Sequence, residues 1–533
     1  MSTSAAAPLL TASAALLAPV LLLAVCLIPA ATARRHGRAA AKWTARLAAF
    51  SFLLALIAAI GLAIAGPVHL RLLGQGAIGL SLRLDSLSAI MLVLVAFLGA
   101  VVTRYSVNYL DGDPRHGRFS QGLAATIACV LILVLSGNLG QFAVAWIATS
   151  LTLHKLLTFY PERQEAVAAA RKKFFVSRLA EACVLLAVLL VWQRFGTLEF
   201  DQLFAKASEL AGTPSPGVGW IALLLVIAAL LKSAQFPFHS WLPETLEAPT
   251  PVSALMHAGI INAGGFLIVR LSPLVSLAPA ALNLLAIVGA LSAILASLVM
   301  MTQTSIKRSL AWSTVSQMGF MMLQCGLGAF ALAVLHIIAH SLYKSYAFLS
   351  SGSILALAKA AWTPSGKPAA HPALLVFILS VAVSLTLTVG YLFGIHFTSD
   401  PGLLVLASVF MMALAFMLWN LWSTRFPSRL ATWGVLAATG IACAWFAAHQ
   451  AAYTLLGDAL PTYSPVRSPA ELAVMGSVVL LFMIVLLFQA CLPSLATRPA
   501  FRRLYIHAAN GFYIGTLAHR LTRRRSHLQP RAA

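Results

Sequence analysis

His336, His340 and Lys344 stand four residues apart in the otherwise apolar stretch 328–349. That spacing puts all three side chains on one stripe of a helix. Two imidazoles and an amine on one stripe are costly to hold in hydrocarbon, so they mark an ion path by default. Histidine changes charge near neutral pH, so the stripe has the chemistry to hand protons along through intervening water. A set of polar groups bonded to neighbouring helices is the structural alternative. Three more ionisable groups fall in apolar runs: Glu181 in Ser177-Arg178-Leu179-Ala180-Glu181, Lys232 at the end of Ala228-Ala229-Leu230-Leu231-Lys232, and His257. Glu181 and Lys232 have opposite charge and can pair between neighbouring helices, although Arg178, three residues before Glu181, competes for it. Pro237, Pro243, Pro249 and Pro251 punctuate the region after Lys232. Each removes a backbone donor. Helices broken at membrane depth are tolerated where they line a wet cavity, so an ionisable group beside such a break fits an ion path.

The elements that position these groups follow from composition. The chain has 533 residues, of which 60% are hydrophobic and only 9% charged, where a soluble domain carries about 25% charged. Its length would otherwise suggest three or four soluble domains. The apolar residues come in long runs, and a helical span needs about 20 of them. A β-barrel would instead show alternating segments of about 10 residues. The expectation is an all-α polytopic membrane protein of about fifteen spans: 8–31, 47–66, 86–104, 119–136, 139–159, 174–194, 217–236, 250–271, 278–302, 310–326, 328–349, 372–394, 402–422, 431–449 and 471–492. The first is long, lacks a basic leader and is followed by Arg34-Arg35-His36-Gly37-Arg38, so it reads as a span and not a cleaved signal. The six cysteines, Cys26, Cys129, Cys183, Cys325, Cys443 and Cys491, are far apart and sit in or beside apolar runs, which indicates neither zinc nor iron–sulfur ligation.

The net charge of +22 has a topological explanation. With the N-terminus outside and the spans alternating, inside loops carry 26 Lys and Arg, outside segments six, and the spans four. This asymmetry predicts an outside N-terminus and a cytoplasmic C-terminus, and accounts for the basicity without nucleic acid. The tail from 493 is basic, yet it contains Tyr505-Ile506-His507-Ala508-Ala509-Asn510-Gly511-Phe512-Tyr513. That apolar content suits the membrane surface or a cytoplasmic partner, with Tyr505, His507, Asn510, Phe512 and Tyr513 as the docking candidates. Four regions are expected: N-terminal helices over 1–118, a core over 119–370, C-terminal helices over 371–492, and the tail over 493–533.

The stretch Lys232-Ser233-Ala234-Gln235-Phe236-Pro237-Phe238-His239-Ser240-Trp241-Leu242-Pro243, followed by Ala248-Pro249-Thr250-Pro251-Val252-Ser253-Ala254-Leu255-Met256-His257-Ala258-Gly259, resembles the antiporter-like membrane subunits of respiratory complex I. So do Lys307-Arg308-Ser309-Leu310-Ala311-Trp312-Ser313-Thr314-Val315-Ser316-Gln317-Met318-Gly319 and the segment from His336 to Ser351. Together these motifs lie within roughly 85–355, and the subunit L branch is the most similar. Within that branch, Glu247-Ala248-Pro249-Thr250-Pro251, His257-Ala258-Gly259-Ile260-Ile261-Asn262-Ala263-Gly264-Gly265-Phe266 and the ending Tyr505 to Tyr513 resemble DabB, the membrane subunit family of DAB inorganic-carbon uptake complexes. The chain also lacks room for the long lateral helix of subunit L.

The resemblance implies an antiporter-like fold in a bacterial inner membrane, with H+ or Na+ moving along Glu181, Lys232, His257, His336, His340 and Lys344. It implies a DabA-like cytoplasmic partner that holds zinc and hydrates CO2 to bicarbonate, leaving this chain without cofactor or catalysis of its own. Two departures stand out. Trp146-Ile147 replaces the family's Trp-Glu pair, and spans 372–394 and 402–422 contain no lysine, only His396 at a border. A shortened, one-way path from the His336 stripe toward Lys232 is compatible with both. The alternatives are a pumping subunit of a quinone oxidoreductase or Na+/H+ antiporter, and a membrane anchor whose ion path is vestigial.

Overall fold

A computed structural model describes residues 3–74, 79–210, 216–353, 372–395, 397, 401–422, 428–461, 468–495 and 498–522. Long helices dominate: α1 (Thr3–Val25), α2 (Gly37–Ala65), α3 (Ser86–Tyr109), α4 (His116–Leu135), α5 (Leu139–Leu157) and α6 (Gln164–Phe195) form the first group. The amphipathic α7 (Phe200–Glu209) and the apolar α8 (Pro216–Lys232) lead to a broken region. It contains the short helix Trp241–Glu244, then α9 (Thr250–Ala258) and α10 (Ala263–Arg270). There follow α11 (Pro279–Met301), α12 (Ile306–Gly326), α13 (Phe330–Leu349), α14 (Pro372–Leu392), α15 (Pro401–Trp422), α16 (Ser428–Leu456) and α17 (Pro469–Leu495). The tail folds as α18 (Pro499–Ala509) and α19 (Ile514–Thr522).

Among the described residues, twelve helical segments are long and apolar enough to cross a membrane. Three expected spans, α5, α8 and α12, are helical but are not among those twelve. Three expectations about boundaries are corrected. The first helix stops at Val25, where the chain bends before the short helix Ala30–Arg35. The helix expected to start at 174 begins at Gln164, which moves Lys172 and Lys173 out of a solvated loop into buried positions. The span expected over 250–271 is interrupted by a 3-10 turn at Ile260–Asn262. A two-stranded antiparallel hairpin, β1 (Val68–Leu73) with β2 (Leu80–Leu84), is an addition to the all-helical expectation. Strands this short add little periodic signal to a loop. His396 and the basic Arg523, Arg524 and Arg525 lie outside the described residues.

Two apolar cores hold the helices. One runs from α1 through α13 and the other joins α11, α12 and α14–α17. The helix α12 belongs to both, and Gly319 sets its distance from α11. A Cβ there would lie 2.6 Å from the Ala293 nitrogen and 2.7 Å from the Gly289 oxygen. Small residues allow backbones this close approach in a bilayer, where dispersion contacts replace the hydrophobic effect between helices. The fit holds rigid the helix that carries most of the hydrogen-bond partners described below.

At one end of the bundle, Asp85 caps α3 through a capping box with Ser88. The buried Arg270 at the end of α10 donates to Asp85 at 2.5 and 3.1 Å and to Ser88 Oγ at 2.8 Å. Arg83 Nε also meets Asp85 at 2.7 Å, and Arg83 reaches Asp201, which His69 Nδ1 contacts at 2.9 Å. Burial alone would raise the Asp85 carboxyl, but Arg270 and Arg83 hold it far below its ordinary value.

Candidate functional site

The site is built where two helices break. α8 ends at Lys232, and Ala234 then adopts a left-handed φ of 51°. Such a conformation in a residue with a side chain costs on the order of 1–3 kcal/mol and persists where the surroundings fix it. Here Gln235 N donates back to Leu230 O at 3.0 Å, and Gln235 Nε2 donates to Ser233 O at 2.7 Å. Further along, Phe236 N donates to Ser292 Oγ at 3.1 Å. These bonds satisfy backbone groups that the break would otherwise leave bare. The second break, 259–262, is tied down by Asn262 Nδ2, which donates to Ala258 O at 2.8 Å and to Ser341 Oγ at 2.9 Å. The two breaks touch: Ser233 Oγ donates to Ile261 O at 2.9 Å.

Lys232 is buried beside the first break, its ammonium 4.5 Å from the centre of the Trp146 ring. Cation–π contact of this kind favours the charged amine when it is desolvated. No ion pair joins Lys232 to Glu181. Glu181 instead accepts from Arg178 Nη2 at 2.6 Å, one helical turn away on its own helix. Of the two partners open to Glu181 in the sequence, the structure selects Arg178. A guanidinium three residues away needs no movement of a second helix to reach the carboxylate.

The other side of the contact between the breaks holds His257, His340 and Lys344. His257 Nδ1 lies 3.1 Å from Thr314 Oγ1, and its ring stacks on Phe348 at 4.4 Å. The Thr314 hydroxyl hydrogen is committed to Leu310 O at 3.0 Å, so the hydroxyl accepts and His257 Nδ1 carries the proton. His257 Nε2, buried and without a hydrogen-bond partner, then keeps a free lone pair. His340 Nε2 lies 3.0 Å from the His257 carbonyl, which can only accept, so this nitrogen carries a proton as well. His340 Nδ1 faces the Gln317 side-chain amide at 2.8 Å. A turned amide donates to neutral imidazole, and the carbonyl form accepts from imidazolium, so Gln317 can serve both states. The fully buried Lys344 donates to Ser313 Oγ at 2.8 Å and to Leu310 O at 3.1 Å, with no carboxylate partner. His336 is only half-buried, its ring 6.0 Å from that of His340, and so forms the more open end of the stripe.

One residue the sequence reading assigned to a loop joins this set. Lys173 on α6 is 3% exposed, and its ammonium donates to Ser150 O at 2.7 Å and Ser150 Oγ at 3.1 Å. Like Lys344, it has no carboxylate partner. Ser150 sits one turn past Ile147, the position that lacks the expected glutamate. The signal was present: Lys173, Ser177 and Glu181 repeat the four-residue spacing of the His336 stripe, and all three are buried. The adjacent Lys172 points elsewhere, to Glu244 at 2.7 Å and Gly515 O at 3.4 Å.

The docking candidates divide. Phe512, at a left-handed φ of 53°, packs against the main core, and Asn510 Nδ2 is spent on Ile506 O at 2.8 Å. Tyr505 and Tyr513 are exposed, with His507 5.6 Å from the Tyr513 ring. The tail lies against the start of α12 and the broken region: Gln303 Nε2 donates to Ala509 O at 3.3 Å, a Cβ on Gly511 would meet Trp312 at 3.0 Å, and one on Gly515 would meet Glu244 at 3.3 Å.

Comparison with known proteins agrees with this architecture. Residues 136–431 match the family model described as NADH:quinone oxidoreductase/Mrp antiporter, transmembrane, and residues 72–120 match complex I chain 5 N-terminus. A probable inorganic carbon transporter subunit DabB2 of Halothiobacillus neapolitanus is 38% identical over 94% of this chain and 92% of its own length. A probable inorganic carbon transporter subunit DabB of Hydrogenovibrio crunogenus is 47% identical over 54% of each chain. The Mrp complex from a Dietzia species superposes with a TM-score of 0.60 at 26% identity, covering 94% of this chain and 60% of the other.

Proposed function

The chain belongs to the DabB-type inorganic carbon transporter subunits within the NADH:quinone oxidoreductase/Mrp antiporter membrane family, and from that premise we propose that it conducts protons to drive carbon uptake. The observation that carries the reading is the meeting of the two helix breaks at Ser233 and Ile261. Lys232 lies on one side of it and the His257–His340 pair on the other. Among the described residues, none of Lys173, Lys232 and Lys344 is paired with a carboxylate. In the proposed path protons pass between the His336–His340–Lys344 stripe, the His257 lone pair, Lys232 and Lys173, with the Arg178–Glu181 pair setting the local field. Water in the breaks bridges the gaps between them.

The proposal extends to a partner. A DabA-like cytoplasmic protein would carry the zinc and hydrate CO2, and the proton flow would drive that step in one direction. The exposed face of the tail, with Tyr505, His507 and Tyr513, is its proposed dock. The chain is placed in a bacterial inner membrane with its N-terminus outside, as the loop charges suggest. Na+ conduction, as an antiporter subunit, is the second reading, favoured by the overlap with the Mrp complex.

The test is a rescue. The chain is expressed with its candidate partner in bacteria that lack carbonic anhydrase, and growth in ordinary air is scored. Growth that needs both chains and is lost in Lys232→Ala, with the complex still assembled, is the expected result. An assembled wild-type complex that gives no growth but carries sodium current overturns the proposal in favour of the antiporter reading.

A further inference from the structure

Away from the ion path, a cavity of about 810 Å3 lies between α4 and α5, with Cys26 at the end of α1 on its wall. Both helices present regular stripes to it. Arg115, Arg118, Gly122 and Ala125 come from α4 and the residue before it, and Thr152, Lys155 and Leu156 come from α5. The stripes run antiparallel, so their charged ends coincide. Arg115, Arg118 and Lys155 cluster where the chain leaves the bundle, while Ala125, Gly122 and Leu156 line the deeper part. None of the residues lining the cavity is acidic. Arg115 is already engaged with Phe159 O at 3.1 Å and Glu162 at 3.1 Å. Among the described residues, the side chains of Arg118 and Lys155 have no hydrogen-bond or ion-pair partner.

This gradient, cationic at the rim and apolar below, has the polarity of one leaflet of a bilayer. The outer face of α5 beside the cavity is apolar and exposed. Val144 and Leu151, on the same face of α5 below Lys155, are 67% and 40% exposed. The rim lies on the same end of the bundle as the basic segment 30–46. Anionic lipids concentrate opposite such segments, and basic pockets between transmembrane helices bind their head groups.

We infer that the α4–α5 cleft is a binding site for the phosphate head group of an anionic phospholipid, held by Arg118 and Lys155 with its acyl chain along Gly122, Ala125 and Leu156. The ligand chemistry, an oxyanion on two basic side chains, is shared with free phosphate; the apolar floor and the exposed apolar face of α5 favour the lipid. This site is independent of the ion path, so it stands whether or not the chain conducts protons.

The test uses the full-length chain in nanodiscs of phosphatidylcholine containing phosphatidylglycerol. After extraction into detergent, retained phospholipid is measured by native mass spectrometry. The double variant Arg118→Gln/Lys155→Gln is compared with Arg34→Gln/Arg35→Gln, which removes the same charge outside the cleft. Losing two charge-assisted contacts to the phosphate, each worth about ten-fold, predicts about a 100-fold loss of retained phosphatidylglycerol in the cleft variant beyond that in the control. Equal loss in the two variants, or retention of phosphatidylcholine as strong as that of phosphatidylglycerol, overturns the site. Displacement of the lipid by millimolar inorganic phosphate overturns the lipid assignment in favour of a soluble oxyanion.

Discussion

Two polar regions of the molecule use similar residue types and wire them in opposite ways. At the Asp85 end, each arginine has a carboxylate: Arg270 and Arg83 on Asp85, and Arg83 also on Asp201, which His69 contacts. In the row from Lys173 to Lys344, the three buried lysines rest on hydroxyls, carbonyls and an aromatic face, and the single carboxylate, Glu181, is taken by Arg178. A buried ion pair that is fully satisfied holds its elements in register and has no reason to exchange protons. A buried amine on neutral acceptors keeps its geometry in either protonation state, because each acceptor tolerates the loss of a donor at modest cost. The first arrangement suits a clamp and the second suits the proposed proton path. The C-terminal helices α14–α17 extend the contrast, since their shared core is almost wholly apolar.

The comparison breaks most visibly at the clamp. Asp85→Ala removes the cap of α3 and leaves Arg270, only 3% exposed, without its partner. Orphaning one member of a buried pair costs about 3–5 kcal/mol, so folded protein recovered by size-exclusion chromatography should fall sharply. Normal recovery and thermal stability would show that the clamp is not structural. Lys173→Met should do the reverse. It removes two hydrogen bonds to Ser150, worth about 1 kcal/mol each, and assembly should persist. Uptake should fall by about 100-fold if the amine takes part in proton transfer, with Lys173→Arg failing to restore it. Full uptake in assembled Lys173→Met would assign that lysine to packing.

The smallest effect concerns pH. The Asp201 carboxyl is held below its ordinary value, first by the hydrogen bond from His69, with Arg83 adding to it against partial burial. A depressed folded value means that its stabilisation is complete above the unfolded pKa, about 3.9. It is lost as pH falls through the lower folded value. Because the side chain is 57% exposed, solvent screens the pair, and a few tenths of a kcal/mol is the scale. Wild-type melting temperature should drop below pH 4 slightly faster than that of Asp201→Asn; parallel curves would remove Asp201 from the clamp.

Much of this was readable from the residues. The His336 stripe works as a sequence signal because four-residue spacing fixes a common helix face before any packing is known. Lys232 beside its prolines was legible for a similar reason, since proline constrains backbone wherever it falls. Lys173 was hidden because charge near a predicted loop reads as topology. Only the extension of α6 back to Gln164 turns the side chain inward. The Arg178–Glu181 pairing was an open choice, and so was the contact of the tail with Trp312, because both depend on which surfaces meet.

The sequence by itself determined the class of the molecule, its helical spans to within a turn or so at most ends, and the identity of most titratable groups in the row. Composition and period decide these, and both are properties of local chain and solvent. The tertiary structure alone decided which groups touch: that the two breaks meet at Ser233 and Ile261, that His340 reports to the His257 carbonyl, and that the lysines have no carboxylates. Those contacts join residues 23 to 83 positions apart. Partners at such separation are chosen by how whole helices pack, where close approaches such as Gly319 on Gly289 set the distances.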